Sequence, residues 1–307
     1  MAAGRLAADR PFLTDPAPPA GVAAILRRGD AGACVFFEHD SRLCAVHRTL
    51  GDVALPSACR IFPRIALTDA RGTFITLSHF CPTAASMLFR TEVPLEIVES
   101  PPAFPPGDYD GLNAAGEWPP LLTPSVLMDL DAYSAWETRA VAVLANASSP
   151  EAALTAIRED VSVLTGDRVA PPPLDIDRAG AIHARVLACV PSELAPCPRT
   201  DLARSHGSYV KPVWQDCAGV VNRYLASHAF ASWVAYQGRG LHSQVRSIEG
   251  ALAVLMVECA WHCRDAGRLL DAELLTESIR SADLLLRHLA DRQRLADVWS
   301  ERVSSGL

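Results

Sequence analysis

"LHSQVRSIEGALAVLMVECAWHCRDAG", residues 241–267, places Val245, Ile248, Leu252, Leu255, Cys259 and Cys263 at steps of three and four residues. That spacing lines six apolar side chains along one face of a long helix, and a helix so striped needs partners to cover it. The partners are legible on both sides. Downstream, residues 271–300 repeat the helical pattern. Upstream, residues 214–236, 175–190 and 125–147 do the same. Residues 149–164 carry a clear start signal, with Ser149 at the N-cap and Pro150 at the first helical position. A helix over 175–190 is expected to end at Pro191, and the stretch around 196–212 reads as a loop.

Before residue 125 the pattern changes. Residues 99–124 contain seven prolines and several glycines, which excludes a long helix or a central strand. This segment reads as a linker or wrapping arm. Residues 31–98 hold short β-favouring runs, turns and four of the nine cysteines. Residues 1–30 read as a loosely packed lead-in with a short helix at 21–28. The expected fold is therefore mainly α. A small cysteine-rich N-terminal module of short hairpins and turns (31–98) is packed on a multi-helix C-terminal domain (125–307), with 99–124 as the connection.

The chain has 307 residues, enough for one large domain or two smaller ones. A net charge of -7 argues against a general nucleic-acid binder, which shows a basic footprint. Lys211 is the only lysine among the cationic residues. The first thirty residues lack the apolar run of a secretory signal, and no apolar stretch reaches the roughly 20 residues needed to span a bilayer. The expectation is a cytoplasmic protein with no membrane and no nucleic-acid partner. In a reducing compartment, clustered cysteines are more often metal ligands or catalytic thiols than disulfides.

The cluster begins with "CVFFEHDSRLCAVHRTLGDVALPSACRIFPR", residues 34–64, and ends at Cys81 in "SHFCPTAA". "ACVFF" and "LCAVH" read as the two strands of a hairpin that brings Cys34 near Cys44. Pro56 sets a turn into a short helix bearing Cys59. Residues 64–78 read as a second hairpin turning at 69–72 and delivering Cys81. Pro82 then opens a helix whose positive end favours a thiolate. Four thiolates suit tetrahedral zinc or an iron–sulfur cluster. His47, Arg48, Arg60 and Arg64 lie near in sequence and offer charge to offset either. The intervals of nine, fourteen and twenty-one residues contain no C-x-x-C pair. Spacing alone leaves a metal site and four unrelated core cysteines both open.

The residues around the cysteines add a resemblance. Cys34, Phe36, Leu43, Cys44, His47, Leu50, Gly51, Leu55, Cys59, Arg60, Phe62, Pro63, Arg64, Leu77, Ser78, Cys81, Pro82, Ala84 and Ala85 form a pattern similar to the flagellin lysine-N-methylase family and the related YkgJ-type cysteine-cluster proteins. A weaker likeness continues in "NRYLASHAFASW", residues 222–233. The resemblance implies a 4Fe–4S cluster or zinc on Cys34, Cys44, Cys59 and Cys81, supported by His47, Arg60 and Arg64. It also implies S-adenosylmethionine-dependent methyl transfer to lysines exposed on a protein partner. The alternative is a non-catalytic zinc or iron–sulfur protein with a structural or redox-sensing role. No G-x-G-x-x-G turn follows a strand, so a Rossmann-type donor site is not expected.

Other candidates have plainer readings beside them. Cys259 and Cys263, with Glu258 and His262, suggest a second metal site or a redox pair. On an apolar stripe they read as core. Cys189, Cys197 and Cys217 read as core or loop. His39 and His79 are alternative ligands, and otherwise a turn histidine and a strand-end histidine. Tyr209, Trp214, Asn222, Arg223, Tyr224 and Trp233 suit a peptide or adenine groove, or ordinary packing.

Overall fold

The computed structural model describes residues 11–13, 24–28, 34–38, 40–41, 43–99, 110–167, 172–194 and 199–301. Its contacts divide the chain into two units, Met1–Phe62 and Pro63–Leu307.

In the first unit, β1 (Phe12–Leu13) pairs antiparallel with β2 (Ile25–Leu26). The helix expected at 21–28 is not formed where the chain is described. Ile25 is β-branched, and the Arg27 N–H is taken by the Pro11 carbonyl at 2.8 Å, so the backbone is satisfied across the ribbon. Arg28 bridges Cys34. The hairpin expected at 34–47 is present but short. β3 (Phe37–Glu38) pairs with β4 (Leu43–Cys44), with Phe37 opposite Cys44. The chain then turns straight into α1 (Ala45–Leu50), so "LCAVH" is strand only in its first two residues. Gly51, at φ 80°, closes that helix in a region that glycine enters without strain. α2 (Ser57–Ile61) follows Pro56, as read from the sequence. Among the described residues of this unit, Val46 is the one apolar side chain that is fully buried.

The second unit opens with β5 (Arg64–Asp69) and β6 (Gly72–Leu77), antiparallel and turning where expected. The Asp69 carboxylate accepts the Arg71 N–H at 2.8 Å and fixes the turn. α3 (Pro82–Met87) follows Cys81. The proline-rich arm contributes β7 (Asp110–Asn113), which adds parallel to β5 to give the order β6-β5-β7. The arm thus supplies an edge strand. Gly111 permits the pairing: its φ is +151°, and a Cβ there would lie 1.8 Å from the Ala66 carbonyl oxygen. β8 (Leu121–Thr123) and β9 (Val126–Leu127) form a hairpin. That hairpin claims the residues expected to start the next helix.

α4 (Leu130–Asn146) therefore begins at Asp129, whose carboxylate caps the N–H groups of Asp131 and Ala132. α5 (Pro150–Thr165) starts as the sequence indicates, with the Ser149 hydroxyl accepting the Ala152 N–H at 3.1 Å. α6 (Ile176–Leu187) is capped by Asp175. The stretch around 196–212 was expected to be a loop. From Leu202 it is helical: α7 (Leu202–Ser205) continues through wide and tight turns over 206–217. Pro212 falls in the first turn of the last of these, where its missing N–H costs nothing. α8 (Ala218–Ala229), α9 (Val234–Gln237), α10 (Leu241–Ala266), α11 (Ala272–Leu284) and α12 (Arg292–Ser300) complete the unit.

α10 is the axis of the core. It packs against α5, α6, α8, α11 and α12. All six residues of its sequence stripe are buried, each Leu or Ile contributing about 1.5–3 kcal/mol in removal from water. Gly250 lets α12 close on it, since a Cβ there would lie 2.3 Å from the Trp299 ring. The fold is mainly α with a small N-terminal region of strands and turns. Among the described residues, no helix is long and apolar enough to cross a membrane.

Candidate functional site

The first unit carries three of the four nominated thiols, and each is placed by a different local element. Cys34 is exposed, at its bridge to Arg28. Cys44 ends β4 and occupies the N-cap of α1, where its thiol makes no capping bond. Cys59 is in α2 and exposed. Their proximity registers at Cys59. Partial desolvation first, then the charges of Cys34 and Cys44, push the Cys59 thiol above its ordinary value. Soft thiol donors gathered in this way match zinc or iron–sulfur chemistry. The side chains are not drawn into a ligating set: among the described residues, no three His, Cys, Asp or Glu groups are arranged to hold a metal ion. His47 is exposed on α1, and Arg60 is exposed on α2. Arg48 is committed to Glu38, with Nε donating to Oε2 at 3.1 Å.

Cys81 belongs to the second unit. It is half-buried at the N-cap of α3, with Pro82 at the first helical position, as expected. Its carbonyl accepts the Ala85 N–H at 2.9 Å. Arg64 opens β5 and is half-buried. Cys197 and His39 lie outside the described residues.

A buried polar cluster in the second unit was not anticipated as a cluster. The Asp283 carboxylate, on α11, is fully buried. It accepts the backbone N–H of His79 at 2.6 Å, the Ser78 hydroxyl at 3.1 Å, His228 Nε2 at 3.1 Å and Arg287 Nε at 3.0 Å. Burial alone would raise its pKa. The Arg287 guanidinium and the His228 bond outweigh burial and hold the carboxyl far below the usual range. Burial depresses His79 to about 4, and His228 moves the same way, so both are neutral at pH 7.

Ser78 and His288 lie 2.7 Å apart, which invites comparison with a nucleophile and its base. The hydrogen bonding opposes that role. The Ser78 hydroxyl donates to Asp283, so its oxygen is left to accept from His288 and from the Phe80 N–H. Ser78 is also fully buried. The cluster fastens the end of β6 to α8 and α11. A sequence signal for it existed: Asp283 stands next to the apolar positions Ile279, Ala282 and Leu286, with Arg287 four residues on.

The other candidates resolve as packing. Cys259 and Cys263 are fully buried on α10. Burial raises the Cys263 thiol to about 11 and Cys259 well above its ordinary value, so neither is a ready thiolate. Glu258 instead pairs with His183 at 3.2 Å, and His262 bonds Ser281 at 2.9 Å. Cys189 is buried and Cys217 half-buried, in the helical core. Asn222 donates to the Ala147 carbonyl at 2.7 Å, and Trp214 donates to Glu151 at 3.1 Å. Tyr224 is buried edge-on to both His79 and His228. Tyr209 and Trp233 pack against the core. Arg223 differs, because it lines a cleft of about 1270 Å³ bounded by β6, residues 87–99, β7 and α8.

No family model, curated protein or solved structure matches this chain.

Proposed function

We propose that the first unit is a thiolate metal-binding module, holding a 4Fe–4S cluster or zinc through Cys34, Cys44 and Cys59. Cys81 is the fourth thiol that the sequence motif nominates, with His47, Arg60 and Arg64 as supporting charge. One observation carries the reading. The described part of this unit buries a single apolar side chain, Val46, yet it gathers three thiols near enough for two to perturb the third. Short segments that bury so little apolar surface are held by a staple. Metal binding supplies one, because ligation free energy becomes folding free energy and draws the ligands together as it does so.

The motif extends the proposal to catalysis: S-adenosylmethionine-dependent methylation of lysines on a protein partner, in the cytoplasm. Such an enzyme must deprotonate an amine whose free pKa is near 10.4. The second reading is a non-catalytic zinc or iron–sulfur protein. The single buried apolar side chain among the described residues of the first unit favours that reading as much as the first.

Anaerobic purification with iron, sulfide and zinc quantification tests the metal. Wild type is expected to carry stoichiometric metal, and Cys44→Ser to lose most of it. Iron with sulfide and broad visible absorption indicates a cluster, and colourless zinc a structural ion. A wild-type protein that is folded and free of both metals ends the proposal. Methyl transfer from labelled S-adenosylmethionine to a lysine-bearing partner then separates enzyme from binder.

A further inference from the structure

Arg223 lies mid-way along α8 among Val220, Val221, Tyr224, Leu225 and Ala226, all buried. It is itself only 8% exposed. Its Nη1 donates to the Val93 carbonyl at 2.7 Å, and its buried Nε has no acceptor. Among the described residues, no carboxylate stands within ion-pair distance of it. The comparably buried Arg71 and Arg287 are treated differently. Asp69 and Glu137 neutralise the first, and Asp283 the second. A guanidinium taken out of water without a counter-charge costs several kcal/mol. It persists where something else brings the charge.

Arg223 lines the cleft described above. Arg223, Ala226, Ser227 and Phe230 all line it, at steps of three and four, so one face of the second half of α8 and the residue that ends it is turned to it. Its walls are largely apolar, including Phe74, Leu88, Leu95 and Phe230. His79 lines it as well, buried, with Nδ1 lacking any partner. Two residues that each keep one enclosed nitrogen without a partner, Nε of Arg223 and Nδ1 of His79, therefore line an apolar cavity of ligand size.

We propose that this cleft binds a small amphipathic carboxylate, its two oxygens on the free edge of Arg223 and its apolar body against Phe74, Leu88 and Phe230. The Val93 carbonyl takes Nη1, and Nε has no acceptor, which leaves the Nε side of the guanidinium to pair with a carboxylate. A phosphate dianion fits less well. Glu96 and Glu99 also line the cleft, opposing a second negative charge, and the further arginine without a carboxylate partner, Arg90, is exposed. The inference rests on the second unit alone and is independent of the metal reading.

Calorimetric titration of the full chain with octanoate, octyl phosphate and octanol, each below its micellar concentration, tests it. Octanoate is expected to bind saturably at one per chain, at least tenfold tighter than octanol or octyl phosphate. Arg223→Met is expected to weaken octanoate at least tenfold and leave octanol unchanged. No saturable octanoate binding, octanol binding as tightly as octanoate, or octyl phosphate binding more tightly would each overturn the proposal. So would an Arg223→Met protein that keeps full octanoate affinity. If Arg223→Met fails to fold, as circular dichroism would show, the three-ligand comparison on wild type decides alone.

Discussion

Asp283 accepts the backbone N–H of His79 at 2.6 Å, a bond that joins α11 to the end of β6 across 204 positions of sequence. The same carboxylate neutralises Arg287 and orients His228. Removing it strands a buried cation, a backbone donor and a hydroxyl together. Asp283→Ala is therefore expected to destabilise the protein by about 3–5 kcal/mol, as for breaking a buried ion pair. Asp283→Asn, which keeps shape and an acceptor, should cost less. Urea unfolding of the two variants checks the order, and a loss under about 1 kcal/mol for the alanine variant would contradict the account.

The cluster also sets a pH dependence. His79 titrates near 4 in the folded chain against 6.5 ordinarily. Between those values the unfolded chain takes up a proton that folded His79 refuses, so stability falls as pH drops. The expected loss from pH 6.5 to 4 is about 3 kcal/mol from this residue. His228 adds in the same direction. Asp283 works in another window: its contribution is complete above the ordinary carboxylate range and is lost only in stronger acid. Unfolding midpoints measured from pH 7.5 to 4 should slope downward in wild type and flatten in His79→Gln. Parallel curves would refute the assignment.

In the first unit, Cys34 and Cys59 are exposed and Cys44 is half-buried, so all three are accessible to alkylation in metal-free protein, with Cys59 slowed by its raised thiol pKa. Metal coordination should protect them together, because one ion or cluster occupies all three thiolates. Iodoacetamide labelling read by mass spectrometry, with and without zinc, measures this. Protection of one thiol alone would disprove shared ligation.

Gly250 and Trp299 form a tight contact between α10 and α12. Gly250→Ala forces the indole to move and is expected to cost about 1–3 kcal/mol by overpacking. Trp299→Leu should relieve part of that cost, giving a coupling energy in a double-mutant cycle. Strict additivity would show that the contact has slack.

What the sequence disclosed depended on the range of the forces involved. The α5 start was legible because Ser149 and Pro150 act within one turn. The stripe of α10 was legible because its spacing is local, whereas the burial of its other sides, with Ala251, Val254 and Val257, depends on helices far away in sequence. The Asp69–Gly72 turn was legible for a similar local reason. The onset of α4 was misplaced because a tight local hairpin, β8 with β9, takes Val126–Leu127 out of the helical pattern. The helical turns from Leu202 were hidden by the flanking prolines. Arg223 was visible as a residue, but nothing local announces that it lacks a carboxylate. The Asp283 cluster joins positions 78, 79, 228, 283 and 287, and no short window contains it.

The sulfurs at 259 and 263 have one more use. Because they are sealed inside the longest helix, a thiol-specific reagent reaches them only when the surrounding helices part. Their rate of reaction in native buffer is a stopwatch on whole-domain breathing, supplied by the protein without any added label.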